Sequence, residues 1–246
     1  MGIRPLYFCI NNKNIFFGSE IKTIFKGMNK RFEISRNSII QTSIFWTNIG
    51  DQTAFQDIKI IRPGHYLIWK NGRSNEFQYH DYAAVYKNTK VALNKNKVRS
   101  LVRNAVDSQM QTDVGYGCYI SGGIDSAIIA YELSKVNKKI DAFSIEFDNK
   151  EYDESKKQKI LSSFLGLKRN KIKIHNKDIS DNFINALDHA ETLLFRTAPV
   201  ANYLLSKEVN NNGHKVIFTG EGADEVFLGY DIFFENRIRK FWSKNP

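Results

Sequence analysis

Two glycine-bearing loops, SGGIDS (121–126) and TGEGADE (219–225), each follow an apolar run and precede a helical stretch, and this repeated order is the strongest constraint on the fold. The strand-like runs YGCYI (116–120), DAFSIEF (141–147), KIKI (171–174) and the start of KVIFTGEG (215–222) alternate with helical stripes. Val98, Leu101, Val102, Ala105, Val106 and Met110 recur at helical spacing, as do Ile179, Phe183, Ile184 and Leu187. Further helices are expected over 126–136, from about Glu154 to a stop at Gly166, over 200–210, and after the second glycine loop. Such alternation predicts an α/β fold, a parallel sheet with helices on both faces, whose ligands sit at the carboxyl ends of the strands. Both glycine loops fall at those ends.

The chain before residue 90 has a different texture. LYFCI (6–10), NIFFGSE (14–20) and GHYLIW (64–69) are short strand-like runs broken by turn residues, which predicts an antiparallel β region. RPGHYLIWKNGRSNEFQYH reads as a hairpin turning at Asn71-Gly72. The polar stretch from Tyr82 to Asn96 reads as a linker. The expected division is 1–85, a linker at 86–97, and 98–246.

Composition narrows the class. The 246 residues are 42% hydrophobic, enough for a core, and no run is long and apolar enough for a membrane span or a leader's apolar segment. A soluble cytoplasmic protein, with no membrane partner, is the expectation. Cys9 and Cys118 each lie inside an apolar run, which predicts buried reduced thiols and no disulfide. The net charge of +10 raises the question of nucleic acid. The lysines of 87–97, 168–177 and 240–244 are scattered through polar or helical stretches without a stacking platform, so solvated surface is the reading and no nucleic-acid partner is expected.

The loops carry the chemistry. A glycine pair between a strand and a helix lets backbone N–H groups approach an anion, with the helix start adding positive potential. SGGIDS lacks the Gly-Lys-Ser/Thr ending of a Walker A loop and the spacing of a dinucleotide fingerprint. The bland alternative is a tight turn with Asp125 or Ser126 as helix cap. In TGEGADE, Glu221, Asp224 and Glu225 crowd one turn; acids are favoured in a first helical turn, but a divalent cation on a nucleotide's phosphates would also relieve their repulsion. Together the loops suggest Mg-nucleotide binding.

These residues also carry a resemblance. SGGIDS is similar to the pyrophosphate loop of the N-type ATP pyrophosphatases, and TGEGADEVFLGY resembles the SGEGxDExFGGY signature of the asparagine synthetases. DHAET (188–192) and RTAPVANYLLSK (196–207) stand in the order that family has. GIRPLYF, FGSEIKTIF, the PGHYL hairpin and YHDY resemble the last part of a class II glutamine amidotransferase domain. The resemblance implies ATP and Mg²⁺ as cofactors. It implies ATP contacts at Ile120, Ser121, Gly122, Gly123, Asp125, Ser126, Ile145, Thr219 and Gly220, with Mg²⁺ on Asp125 and Asp224. Glu221 takes the position tied to forming β-aspartyl-AMP, from which ammonia, free or glutamine-derived, displaces AMP to give asparagine.

The same resemblance marks departures. The family's amidotransferase half begins with a cysteine directly after the initiator methionine, whereas residue 2 here is Gly2 and the chain resembles only the later part of that domain; neither Cys9 nor Cys118 is placed to act instead, so a glutaminase activity of this chain is not expected. Lys240 and Lys244 do not match the family's catalytic lysine, and Leu228 replaces a signature glycine. The expectation is a truncated or split asparagine synthetase, with apolar rows such as Phe16, Phe17 and Ile21 uncovered and a completing chain as a partner. The other readings are a nucleotide-binding remnant, a β-lactam- or other amide-forming relative, and an RNA-directed pyrophosphatase, against which GEGADE argues.

Overall fold

The computed structural model describes residues 2–81, 94–137 and 139–244, which pack as two units. One comprises the described residues of Met1–Leu93 with Ser180–Val200, the other those of Asn94–Ile179 with Ala201–Pro246.

In the first unit β1 (Tyr7–Asn11) lies between β2 (Asn14–Gly18) and β3 (Ile58–Ile60), all antiparallel. The expected hairpin is present: β4 (His65–Lys70) pairs with β5 (Arg73–Gln78), and Asn71 and Gly72 turn it at φ 52° and 75°. Both values are positive, as a two-residue type I′ turn requires. Two helices stand where the sequence suggested only strands. In α1 (Ile21–Met28), Ile21, Ile24, Phe25 and Met28 share one face and pack with Cys9, Ile58 and Phe16 into a core. Ile21 is therefore buried and Phe16 joins the core, so of the expected exposed row only Phe17 faces solvent. The α1 start is closed by Glu191 of the DHAET stretch, which accepts from the amides of Ile21 (2.6 Å) and Lys22 (2.7 Å). The second helix, α2 (Arg36–Phe45), inverts the usual pattern: Ser38 and Thr42 are buried while Ile39, Ile40 and Ile44 are exposed.

The second unit opens with α3 (Lys95–Gln109), whose start is capped by the Asn94 side chain, so its first turn lies inside the stretch expected as a linker. The remainder of that stretch, 82–93, lies outside the described residues. The sheet follows, with β6 (Tyr116–Tyr119), β7 (Asp141–Phe147), β8 (Lys168–Ile174) and β9 (Val216–Phe218) all parallel in the order β8-β7-β6-β9. Its strands alternate faces as a pleat dictates. Cys118 and Ala142 pack with α3, α4 (Ile124–Val136) and α5 (Ser155–Leu165) on one side. Phe143, Ile145 and Ile217 pack with Leu205 and Val209 of α7 (Ala198–Asn211) on the other. The expected parallel sheet with helices on both faces is thus observed. Helix α6 (Asn176–Ala190) realises the stripe predicted from Ile179, although Ile184 is exposed. Helices α8 (Ala223–Phe227) and α9 (Asp231–Lys244) complete the unit.

Both cysteines are buried and free, as expected, and burial pushes the Cys118 thiol up to about 12. Among the described residues no helix is long and apolar enough to cross a membrane.

Candidate active site

The chain runs β6, β7, β8 outward and then returns to place β9 on the other side of β6. At such a reversal the loops leaving neighbouring strands diverge and open a crevice. The loops leaving β6 and β9 are SGGIDS and TGEGADE.

After Tyr119 the ladder continues for one residue, with the Ile120 amide donating to the Phe143 carbonyl, and then the backbone peels away. The buried Ser126 hydroxyl organises the turn: it accepts from the Ser121 amide (3.1 Å), pairs with the Ser121 hydroxyl (2.8 Å) and donates to the Gly123 carbonyl (3.2 Å). Neither Asp125 nor Ser126 caps the helix. Gly123 occupies the N-cap of α4 and the cap has no side-chain bond, because both acid and hydroxyl already lie within the first turn.

The second loop presses on the first. A Cβ on Gly220 would lie 2.7 Å from the Ser126 amide nitrogen and 2.9 Å from Asp125, so only glycine permits this approach. Gly222, at φ 89°, then turns the chain into α8. The three acids of this turn divide their tasks. Glu225 accepts from the Tyr230 hydroxyl (2.9 Å), whereas Glu221 and Asp224 line a cavity. Tyr230 is held above the ordinary phenol range, first by its hydrogen bond to Glu225, then by burial and by the charges of Glu225, Asp224 and Glu221. Gly229 packs against Asp224, and a side chain at 229 would strike that carboxylate. Leu228 sits at φ 60°, ψ 45°, a left-handed conformation that costs a non-glycine residue about 1–2 kcal/mol. The backbone thus explains why glycine suits position 228.

The cavity has a volume of about 460 Å³. All the residues expected at the site except Gly122 line it: Ile120, Ser121, Gly123, Asp125, Ser126, Ile145, Thr219, Gly220, Glu221 and Asp224. Tyr119, Phe147, Tyr152, Glu154, Gln158, Asn202, Leu205, Gly222 and Tyr230 complete the wall and were not among the residues expected there. Gln158 is buried, donates to the Ile145 carbonyl (3.1 Å) and accepts from Arg169 (2.7 Å), which also binds Ser144 and Glu146. This network fixes the middle of β7 beneath the cavity. The Gly122 amide is directed instead to Glu154, 2.9 Å away.

Residues 97–245 match the family model for asparagine synthase. The chain belongs to the asparagine synthase family. Residues 1–82 match the model for a glutamine amidotransferase domain. Over its full length the chain is 27% identical to asparagine synthetase [glutamine-hydrolyzing] 1 of Bacillus subtilis, of which it covers 39%. Over 94% of its length it is 29% identical to amidase chyE of Penicillium rubens, covering 37% of that protein. Over 72% it is 30% identical to asparagine synthetase B of Escherichia coli, covering 34%. The chain therefore spans well under half the length of these three relatives.

Proposed function

We propose that this chain binds Mg-ATP in the cavity between the β6 and β9 loops and uses it to convert a carboxylate, aspartate first among candidates, to an amide. The reading is supported by one observation: Gly220 brings the two glycine loops into contact, so that Ser121 and Gly123 of one and Glu221 and Asp224 of the other line the same cavity. The backbone of Ser121 to Gly123 and the start of α4 would hold the β- and γ-phosphates. Ile145, on the apolar side of β7, would border the adenine, with Thr219 and Gly220 along the nucleotide.

Asp125 and Asp224 fit Mg²⁺. Both are carboxylates, hard oxygen donors by chemistry, and both line the same cavity. Mg²⁺ takes one or two carboxylates and completes its shell with phosphate and water oxygens. When bound it would neutralise the charge developing on the leaving pyrophosphate. In the reaction, a substrate carboxylate oxygen attacks the α-phosphorus, the bond to the bridging oxygen breaks, and pyrophosphate departs into the glycine loop. Ammonia then attacks the acyl carbon, loses a proton, and expels AMP. Glu221, at the cavity wall, would position the acyl acceptor and accept the proton.

The similarity to an amidase at 29% identity favours one second reading, in which the carboxylate that becomes the amide is not that of aspartate. The test is ammonia-dependent formation of AMP and amide from Mg-ATP, with aspartate and a panel of other carboxylic acids. The expected result is stoichiometric AMP and asparagine, reduced on the order of 10²-fold by Glu221→Gln. AMP with another acid only would select the second reading. No AMP from any acid would refute both.

A further inference from the structure

The glycine loop already holds an anion, and it belongs to the chain. The Gly122 amide donates to Glu154 Oε2 at 2.9 Å, from 32 positions away in sequence. A Cβ on Gly122 would lie 2.6 Å from Glu154 Oε1, so the carboxylate rests directly on the bare backbone. Glu154 occupies the N-cap position of α5 without capping it; that task falls to Asp153, which accepts from the Ser155 amide and hydroxyl. The Glu154 carboxylate is thus not required for α5 to start, and it is half-exposed. One turn on, Lys157 stands 3.9 Å from Glu154 Oε1, and its stem also lies over Gly122.

We propose that Glu154 is a displaceable occupant of the phosphate seat: its carboxylate satisfies the Gly122 amide in the empty site, and the incoming phosphates expel it. This rests on the nucleotide reading of the cavity. A carboxylate and a phosphate brought to the same N–H compete for it and repel each other as like charges. Expulsion removes a negative charge from the seat and releases Lys157 from its ion pair to face the phosphates. Glu154 would thereby set affinity, holding the loop in its binding shape while lowering the net gain from occupying it.

Calorimetric titration with Mg-pyrophosphate and with Mg-ATP tests this on the full chain and its Glu154→Gln, Glu154→Ala and Lys157→Ala variants. Glu154→Gln and Glu154→Ala should bind pyrophosphate about tenfold more tightly, the equivalent of losing one charge-assisted competing bond. Lys157→Ala should bind it more weakly than the unaltered chain. Equal or weaker binding by both Glu154 variants, with the unaltered chain binding normally, overturns the proposal and makes Glu154 a support or a direct contact. If neither the unaltered chain nor any variant binds pyrophosphate or ATP, the nucleotide reading fails, and this proposal with it.

Discussion

Gly220 and Leu228 illustrate how far single positions can be read. The glycine pair and the acids of the two loops stand out in the sequence because each residue type has a specific use: bare backbone for an anion, a carboxylate for a cation. What the sequence does not disclose is the contact between the loops. Nothing in TGEGADE says that Gly220 must touch Asp125 and Ser126, since that contact exists only once β9 is placed beside β6. Gly220→Ala should therefore force the loops apart and destabilise the protein by about 1–3 kcal/mol, as overpacking against backbone does. Chemical denaturation would measure it, and an unchanged midpoint would show that the loops do not press together. Tyr152, Glu154 and Gln158 lie outside every motif the sequence offers, whereas Asn202, Leu205 and Tyr230 stand inside stretches that carry the family resemblance without a role assigned to them. Tyr152, Glu154 and Gln158 reach the cavity only through the packing of α5 against β7.

At the scale of elements, β6, β7 and β9 were legible as largely apolar runs bounded by turn residues, whereas of β8 (KRNKIKI) only the alternating KIKI end was. The α1 and α2 helices were not. Ile21, Ile24, Phe25 and Met28 do follow helical spacing, but the β-branched and aromatic content of the region favoured strands, and tertiary packing overrode it. In α2 the polar residues face inward, so its pattern points the wrong way. Asp141 shows how the sheet is tied at its opposite end. It accepts from Asn170 of β8 (2.9 Å), bonds His214 (2.8 Å) before β9, and pairs with Lys168 (3.1 Å). Burial alone would raise its carboxyl, but the bonds from Asn170, His214 and Lys168 outweigh burial and hold it below the ordinary value. A depressed carboxyl contributes stability that is present above its unfolded pKa, about 3.9, and is lost as pH falls through the lower folded value. Asp141→Asn should cost about 1–2 kcal/mol at neutral pH, with the difference from the unaltered protein closing below roughly pH 4. Unfolding curves at several pH values would show this. A gap that stays constant down to the most acidic condition would mean that Asp141 contributes through shape and not through charge.

For the whole molecule, the decisive arrangement is topological: a parallel sheet whose strand order reverses at β6 brings two loops distant in sequence to one crevice. Family membership over residues 97–245 agrees with what those loops suggest chemically. On the proposed function, this crevice binds Mg-ATP. The most direct measurement is the thermal midpoint of the purified chain with and without saturating Mg-ATP, set against Asp125→Ala. At a ligand concentration of roughly 100 times Kd, binding adds about 2.7 kcal/mol, which for a chain of this size raises the midpoint by roughly 5–10 °C. The predicted result is such a rise for the unaltered chain and none for Asp125→Ala. An unaltered chain whose midpoint does not move with Mg-ATP would mean that the crevice is not a nucleotide site.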